Sequence, residues 1–145
     1  MKYFSLTTAS VIAFATTATA ETTQIEKVQV TSLQEAVVYF EQNIDCFTLF
    51  ALASFDQYGL PLQFEVDADF YSKSNRVKRK EEILVQVEEV VDSEHLSTDE
   101  RTYLLQKNQE LGVQAGVKWG IKSTYPGIAS WDQPYRDCVI KHNIN

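Results

Sequence analysis

Residues 32–58 have the sequence SLQEAVVYFEQNIDCFTLFALASFDQY, and this stretch decides the fold class. Apolar side chains recur in it at steps of three and four, at Leu33, Val37, Phe40, Ile44, Phe47, Ala51, Phe55 and Tyr58. Steps of this size place side chains on one face of an α-helix, so the pattern predicts an amphipathic helix with a buried apolar face. Ser32 followed by Glu35 is a capping box, which predicts the helix start, and Gly59 with Pro61 predicts its end.

The rest of the chain also has helical patterns. Residues 62–92 carry apolar residues mostly seven apart, residues 72–75 indicate a break, and the pattern leaves open whether they form one helix or two. Ser97 and Glu100 form a second capping box before another helix, and a short last helix begins near Asp132. The sequence therefore predicts an all-α fold, a small irregular antiparallel bundle of three to five helices.

Three glycines lie four residues apart in the third helical segment, at Gly112, Gly116 and Gly120. Glycine inside a helix costs about 1 kcal/mol relative to alanine, so a compensating interaction is expected. The favoured interpretation is a continuous helix whose smooth face closely meets another helix, and Gly116→Leu should then be strongly destabilising. The alternative is that Gly112 ends the helix as its C-cap.

The N-terminus has the three parts of a signal peptide. Lys2 supplies the positive charge, residues 3–18 are uncharged with an apolar centre at 11–15, and Ala18–Ala20 is a small-x-small cleavage site. The apolar centre is too short for a membrane span, which takes roughly 20 apolar residues. We therefore expect export to the periplasm or the outside, and no membrane span in the mature chain. The expected organisation is a signal peptide at 1–20, a flexible lead-in at 21–30 and a single helical domain at 31–145.

The chain has two cysteines, Cys46 in the first predicted helix and Cys138 in the last. A lone pair of cysteines in an oxidising compartment usually forms a disulfide, which here would join the first and last helices. Chain-entropy estimates give such a bridge about 4–5 kcal/mol of stabilisation. The alternatives are two free thiols or a cysteine ligand to a metal, for which the two histidines of the chain offer few further ligands.

The chain is acidic, with 20 acidic against 13 basic residues and a formal net charge of −7. Removal of residues 1–20 takes away one positive charge, that of Lys2, so the mature chain has a net charge of −8. This charge disfavours binding to nucleic acid and is compatible with a cationic partner. The basic cluster at residues 76–80 is followed by Glu81 and Glu82, and we interpret it as a solvated helix face.

No combination of residues in the sequence indicates catalysis or a bound cofactor. His142 lies four residues after Cys138, but a disulfide at Cys138 would leave this pair without a nucleophile. The acidic residues before His95 point in several directions around a helix, whereas a cation needs converging ligands. We therefore predict no catalytic residue, no cofactor and no metal, and an enzyme is disfavoured.

Three aromatic residues in and after the predicted loop 123–131 are the candidate partner-binding residues, namely Tyr125, Trp131 and Tyr135. Aromatic side chains are enriched in binding hot spots. The alternative is that these three side chains fill the end of the bundle. The loop would be held close to the predicted disulfide, which favours affinity because little entropy is lost on binding.

The layout of the chain is a signal peptide, an early helix with one cysteine and a terminal helix with the second. This layout is similar to that of several small periplasmic helical proteins, including some immunity proteins against toxins injected between bacteria. The predicted function is an exported non-enzymatic protein that binds another protein. The alternatives are an immunity or inhibitor protein against a secreted toxin or cell-wall hydrolase, and an envelope stress or maintenance protein.

Overall fold

The structure is a computed structural model that describes residues 27–55, 69–124 and 132–144. Within these segments it contains four helices and no strand: α1 Leu33–Ala53, α2 Lys73–Val91, α3 Thr98–Thr124 and α4 Asp132–Lys141. The predicted all-α fold is therefore confirmed. The predicted signal peptide and the first part of the lead-in lie outside the described residues.

Helix α1 is the central helix, because it contacts each of the other three. Its first half packs with the start of α3 and the end of α2, and its second half packs with the later part of α3 and the middle of α2. Helix α4 runs back along α1, and Lys141 near its end donates to the carbonyl of Gln42 at 3.1 Å. Successive helices are thus antiparallel, as predicted, and α3 is parallel to α1.

The predicted capping box forms at the start of α1, but one of its two hydrogen bonds involves Thr31 instead of Ser32. Ser32 is the N-cap, and its hydroxyl accepts from the Glu35 amide at 3.3 Å, as predicted. The Glu35 carboxylate accepts from the Thr31 amide at 2.7 Å and from the Thr31 hydroxyl, instead of from the Ser32 amide. These bonds hold the pKa of Glu35 below its usual value.

Helix α1 ends at Ala53, before the end that was predicted near Gly59. The Ser54 hydroxyl donates to the carbonyl of Ala51 at 2.7 Å, and such a bond competes with continuation of the helix. Residues 56–68, which include Gly59, lie outside the described residues.

Helix α2 begins at the break that was predicted at residues 72–75. Ser72 is its N-cap and accepts from the Asn75 amide at 3.3 Å. Residues 73–91 then form one helix, whereas residues 62–68 lie outside the described residues.

The inward face of α2 includes charged residues. The buried residues of this helix are Arg76, Arg79, Ile83, Gln86 and Val90. The interpretation of residues 76–80 as a solvated face is therefore wrong for Arg76 and Arg79, because their guanidinium groups donate to backbone carbonyls inside the bundle. It holds for Lys78, whose exposed ammonium pairs with Glu82 at 3.6 Å.

Helix α3 runs without interruption through all three glycines, so the predicted continuous helix is confirmed and Gly112 is not a C-cap. The second capping box is also confirmed. The Ser97 amide donates to the Glu100 carboxylate at 2.8 Å, and the Glu100 amide donates to the Ser97 hydroxyl at 3.3 Å. These bonds lower the pKa of Glu100.

The expected close approach of another helix to the glycine row is not found among the described residues. A Cβ added to Gly112 would lie 4.0 Å from the Ile44 Cδ1 atom, an ordinary contact distance, and one added to Gly116 would meet no atom within 4 Å. The described residues thus leave room for a Cβ at Gly116, and the destabilisation expected of the larger Gly116→Leu stays a prediction.

The predicted disulfide is present and joins α1 to α4. The Cys46 and Cys138 sulfurs lie 2.03 Å apart and their Cα atoms 5.4 Å apart, across a sequence separation of 92 residues. Such a bridge is consistent with an oxidising, exported location.

The last residues of the predicted lead-in, 27–30, are described and pack against the bundle. Val30 is buried in the core cluster around Phe40, and its carbonyl accepts from the Ser93 hydroxyl at 2.8 Å. The chain just before α1 is therefore attached to the turn between α2 and α3.

Candidate functional site

Of the three predicted partner-binding residues, the structure describes Tyr135, and Tyr125 and Trp131 lie outside the described residues. Tyr135 is completely buried. Its ring packs edge-on against Phe50 with a centroid distance of 5.2 Å. Tyr135 therefore fills the end of the bundle in this structure and does not present a surface to a partner.

Tyr135 belongs to a cluster of arginines and aromatic rings, which we call the arginine–aromatic cluster. It contains Phe70, Tyr71, Arg76, Arg79, Asp132, Tyr135 and Arg136. The guanidinium carbons of Arg79 and Arg136 lie 4.0 and 4.5 Å from the centroid of the Phe70 ring, within the range of a cation–π interaction. Arg79 also donates to the Phe70 carbonyl at 2.5 Å.

Hydrogen bonds in the arginine–aromatic cluster join three helix ends. Arg76 donates from Nε to the Tyr71 carbonyl at 2.8 Å and from Nη1 to the carbonyl of Ala53, the last residue of α1. The Tyr71 hydroxyl donates to Asp132 at the start of α4, and Asp132 also accepts from Arg136 at 3.1 Å. Burial and the bond to Asp132 raise the pKa of Tyr71.

The chemistry of the arginine–aromatic cluster is structural. A guanidinium stays charged at all ordinary pH values, and the pKa of Tyr135 is raised mainly by burial. The arginines and tyrosines of the cluster are therefore not suited to proton transfer near neutral pH. We interpret the cluster as the device that holds the ends of α1, α2 and α4 together.

His142 is a second polar residue inside the bundle. Its Nδ1 atom lies 2.9 Å from the Gln86 amide oxygen, which can only accept, so Nδ1 carries the proton. Its Nε2 atom is buried without a hydrogen-bond partner among the described residues, and the ring faces Phe47 and Phe50. Burial, with a smaller effect of Lys141, lowers the pKa of His142 to about 4, so the imidazole is neutral at ordinary pH.

A cleft of about 440 Å³ lies beside the chain segment that precedes α1. It is lined by Lys27, Val28, Gln29, Val30, Thr31, Glu89, Asp92, Ser93, Glu94 and His95. His95 lies 3.8 Å from the exposed carboxylate of Glu94. Across the described segments, no three His, Cys, Asp or Glu side chains come together in a way that could hold a metal ion.

The outward side of α3 carries exposed apolar residues in a row, and we call Val113, Val117 and Ile121 the α3 outer face. Their exposed fractions are 63%, 58% and 56%. Their spacing of four keeps them on one side of the helix. Ala115 and Trp119, which point to the opposite side, are buried in the core. The α3 outer face is thus an apolar surface that no described part of the chain covers.

The segment of α3 that carries the outer face has no acidic residue, although the exposed Glu110 adjoins Val113 at its start. Residues 111–121 contain no Asp or Glu, although the whole chain has 20. The one charged residue in this segment is Lys118, whose ammonium lies 2.7 Å from the Asp45 carboxylate of α1. Adjoining exposed apolar side chains are typical of a binding surface.

A shallow groove between α1 and α3 adjoins the α3 outer face and has a volume of about 320 Å³. It is lined by Ile44, Phe47, Thr48, Ala51, Leu52, Asn108, Gly112 and Gly116. The missing side chains of its two glycines leave the α3 side of the groove open, which is consistent with the free space beside Gly116. The glycine row therefore forms a smooth surface next to the exposed apolar residues.

The sequence predicts a contact inside the chain for the glycine row, whereas the structure leaves the row beside an open groove. The repeat of Val113, Val117 and Ile121 beside the glycines was the available signal. A repeat of four does not show which side of a helix is covered, because that depends on the other helices.

Comparison with known proteins supplies no functional assignment: no protein-family model matches the chain, and no significant similarity to a curated protein or a solved structure was found. None of the helices in the described segments is long and apolar enough to cross a membrane.

Proposed function

We propose that the protein is an exported, non-enzymatic protein that binds another protein through the α3 outer face. The observation that carries this proposal is the exposure of three apolar residues in one row on the side of α3 opposite its buried residues. Scattered exposed apolar residues are normal on soluble proteins, but a contiguous row of them indicates an interaction site. The proposed location is the periplasm or the outside of the cell.

The shifted titratable groups support a binding role over a catalytic one. Tyr39, Tyr71, Tyr135 and His142 have pKa values shifted mainly by burial. Glu35 and Glu100 have lowered pKa values because they cap helices. Each of these groups has a structural explanation, whereas a catalytic site would gather shifted groups around a cleft.

The charge of the protein favours a cationic partner. A mature chain with a net charge of −8 would speed the encounter with a basic protein, while the apolar face would supply contact area. An immunity or inhibitor protein against a toxin or cell-wall hydrolase is a specific form of this proposal. An envelope maintenance protein would use the same face for more transient contacts.

The test replaces one apolar side chain of the α3 outer face. Immobilised mature protein is incubated with native envelope proteins, and the parent is compared with Val117→Lys and Ile140→Lys. Ile140 on α4 is 77% exposed and provides a matched control away from α3. We expect Val117→Lys to lose the captured protein and Ile140→Lys to retain it. Capture that survives Val117→Lys at the parent level would contradict the proposal.

A further inference from the structure

We infer that the cleft beside residues 27–31 binds an extended basic segment of a protein, which pairs with the backbone of Val28. This site lies on a different surface from the α3 outer face. Val117 lies about 28 Å along α3 from Thr98, the first helical residue after the turn that lines the cleft. The inference therefore goes beyond the proposed function and does not depend on it.

Residues 27–31 form an extended segment. They belong to no helix, and Ser32, which follows them, has the extended backbone angles φ −151° and ψ 159°. The exposure of their side chains alternates along the chain, as in a β-strand with one face against a core. The exposed side chains are those of Lys27, Gln29 and Thr31, and the inward ones are those of Val28 and Val30.

The two edges of this segment point to different parts of the bundle. The Val30 carbonyl accepts from the Ser93 hydroxyl at 2.8 Å, and the Thr31 amide donates to the Glu35 carboxylate at 2.7 Å. In an extended chain the N–H and C=O of one residue point to the same edge, and those of the next residue point to the opposite edge. The backbone groups of Val28 and Val30 therefore share the edge that faces the turn between α2 and α3.

The edge that faces this turn has unused hydrogen-bonding groups. Among the described residues, no hydrogen bond uses the N–H or C=O of Val28 or the N–H of Val30. The cleft of about 440 Å³ lies along this edge. Unpaired backbone groups on an extended segment are a template for pairing with another extended chain. Five residues span about 16 Å, so a segment of similar length fits beside them.

The opposite edge is less suited to a partner. It faces a smaller groove of about 320 Å³ beside α1, in which Glu35 is the one acidic residue of the lining. The Glu35 carboxylate already accepts from the amide and the hydroxyl of Thr31. A partner on this side would have to displace bonds that cap α1.

The charge of the cleft favours a basic segment. Its lining includes the three carboxylates of Glu89, Asp92 and Glu94 against the one ammonium of Lys27. Glu94 also lies 3.8 Å from the His95 ring, and both Asp92 and Glu94 are exposed. Lysine or arginine side chains of a paired segment would thus meet an excess of negative charge, whereas an acidic segment would be repelled.

A short basic peptide tests the inference on the oxidised mature chain. The probe is acetyl-Lys-Val-Lys-Val-Lys-amide, titrated into isotope-labelled protein at about 0.15 M salt and followed by NMR. We expect the amide signals of Val28 and Val30 to shift and saturate, and the signal of Val117 to stay in place. The same peptide with N-methylated interior amides keeps its charge but loses its donors, so it should not bind. Absence of a shift at Val28, or equal binding of the N-methylated peptide, overturns the inference.

A matched pair of variants tests the role of the charge. Asp92→Asn removes an exposed carboxylate that lines the cleft, whereas Glu88→Gln removes an exposed carboxylate one turn earlier in α2, outside the cleft. Asp92→Asn should weaken peptide binding about two- to fivefold, and Glu88→Gln should leave the dissociation constant unchanged. Both side chains are exposed, so both variants should keep the helical signal. Equal affinities of the parent and both variants would place the peptide outside this cleft and overturn the inference.

One more variant separates this site from the α3 outer face. Val117→Ala should bind the peptide as the parent does, and loss of binding in this variant would place the peptide on α3 and overturn the inference. If the peptide does not bind but envelope capture is lost with Val117→Lys, the proposed function stands without this site. If the peptide binds at Val28 but capture survives Val117→Lys, this site stands without the proposed function.

Discussion

The side chain of Arg79 is 3% exposed and carries its charge inside the bundle. It donates to the Phe70 carbonyl and stacks on the Phe70 ring, and its Nη1 lies 3.5 Å from the Tyr135 hydroxyl. Arg79→Ala would remove these contacts and leave a cavity. The Phe70 carbonyl would lose the hydrogen bond from Arg79, and alanine has no side-chain donor to replace it. We expect a loss of about 2–4 kcal/mol in the free energy of unfolding, measured by urea denaturation.

Lys78 provides the matched control for this prediction. It is the neighbour of Arg79, but its side chain is 57% exposed and it forms an ion pair with the nearby Glu82. Lys78→Ala should change the unfolding free energy by less than about 0.5 kcal/mol, because exposed ion pairs contribute little. Equal losses for the two variants would mean that the Arg79 contacts do not stabilise the fold.

His142 should make the stability depend on pH. Its pKa is lowered from 6.5 to about 4 in the folded chain, mainly by burial, so folding favours the neutral imidazole. Its contribution is fully present above pH 6.5 and is lost as the pH falls through 4. The free energy of unfolding should therefore decrease by up to about 3 kcal/mol across this range through His142 alone.

Urea unfolding curves between pH 7 and pH 4 would measure this effect. The carboxylates also titrate in this range, so the informative quantity is the difference between parent and variant. His142→Gln should flatten the pH dependence relative to the parent. A His142→Gln variant with the full pH dependence of the parent would assign the effect to other groups.

At the scale of the helices, Gly116 lies inside α3 with open space beside it. Gly116→Ala should therefore stabilise the monomer by about 0.5–1 kcal/mol, because alanine has the higher helix propensity and clashes with nothing in the described chain. The measurement is thermal unfolding at low protein concentration. Ala115→Gly on the same turn is the opposite control and should be destabilising, because Ala115 is buried in the core. A destabilised Gly116→Ala would show that another part of the chain lies against this glycine.

The helix boundaries were predictable where they depend on neighbouring residues. The capping box of Ser97 and Glu100 involves residues three apart, and its sequence signal is sufficient. The inward face of α2 was not predictable in this way. Arg76 is buried with a hydrogen bond to the carbonyl of Ala53, 23 residues away. Arg79 is buried with a contact to the hydroxyl of Tyr135, 56 residues away. A sequence pattern treats arginine as a surface residue, because it contains no information about such distant partners.

The same limit applies to the candidate site. The repeat from Val113 to Ile121 is visible in the sequence, and so are the glycines beside it. Whether that side of α3 faces another helix or solvent depends on how α1, α2 and α4 pack. In the structure α1 covers the opposite side of α3, so the repeat remains exposed.

At the scale of the whole molecule, the last helix depends on the rest of the bundle. Helix α4 has 10 residues, and an isolated helix of that length is not stable in water. Its connections to the bundle include the disulfide to Cys46, the bond from Lys141 to Gln42 and the pair of His142 with Gln86. Loss of the disulfide should therefore weaken α4 more than the central α1.

Reduction of the Cys46–Cys138 bridge tests this dependence. The bridge spans 92 residues, so its removal should lower the free energy of unfolding by up to about 4–5 kcal/mol, seen as a clear fall in Tm. Non-reducing mass analysis should first show the two sulfurs joined in the native protein, two hydrogen atoms lighter than the dithiol. In the reduced chain, amide hydrogen exchange should accelerate more in α4 than in α1, because α1 keeps its contacts with α2 and α3. A Cys46→Ala and Cys138→Ala double variant should match the reduced parent in both measurements. Free thiols in the exported protein, or equal exchange rates in α1 and α4 after reduction, would contradict the role assigned to the bridge.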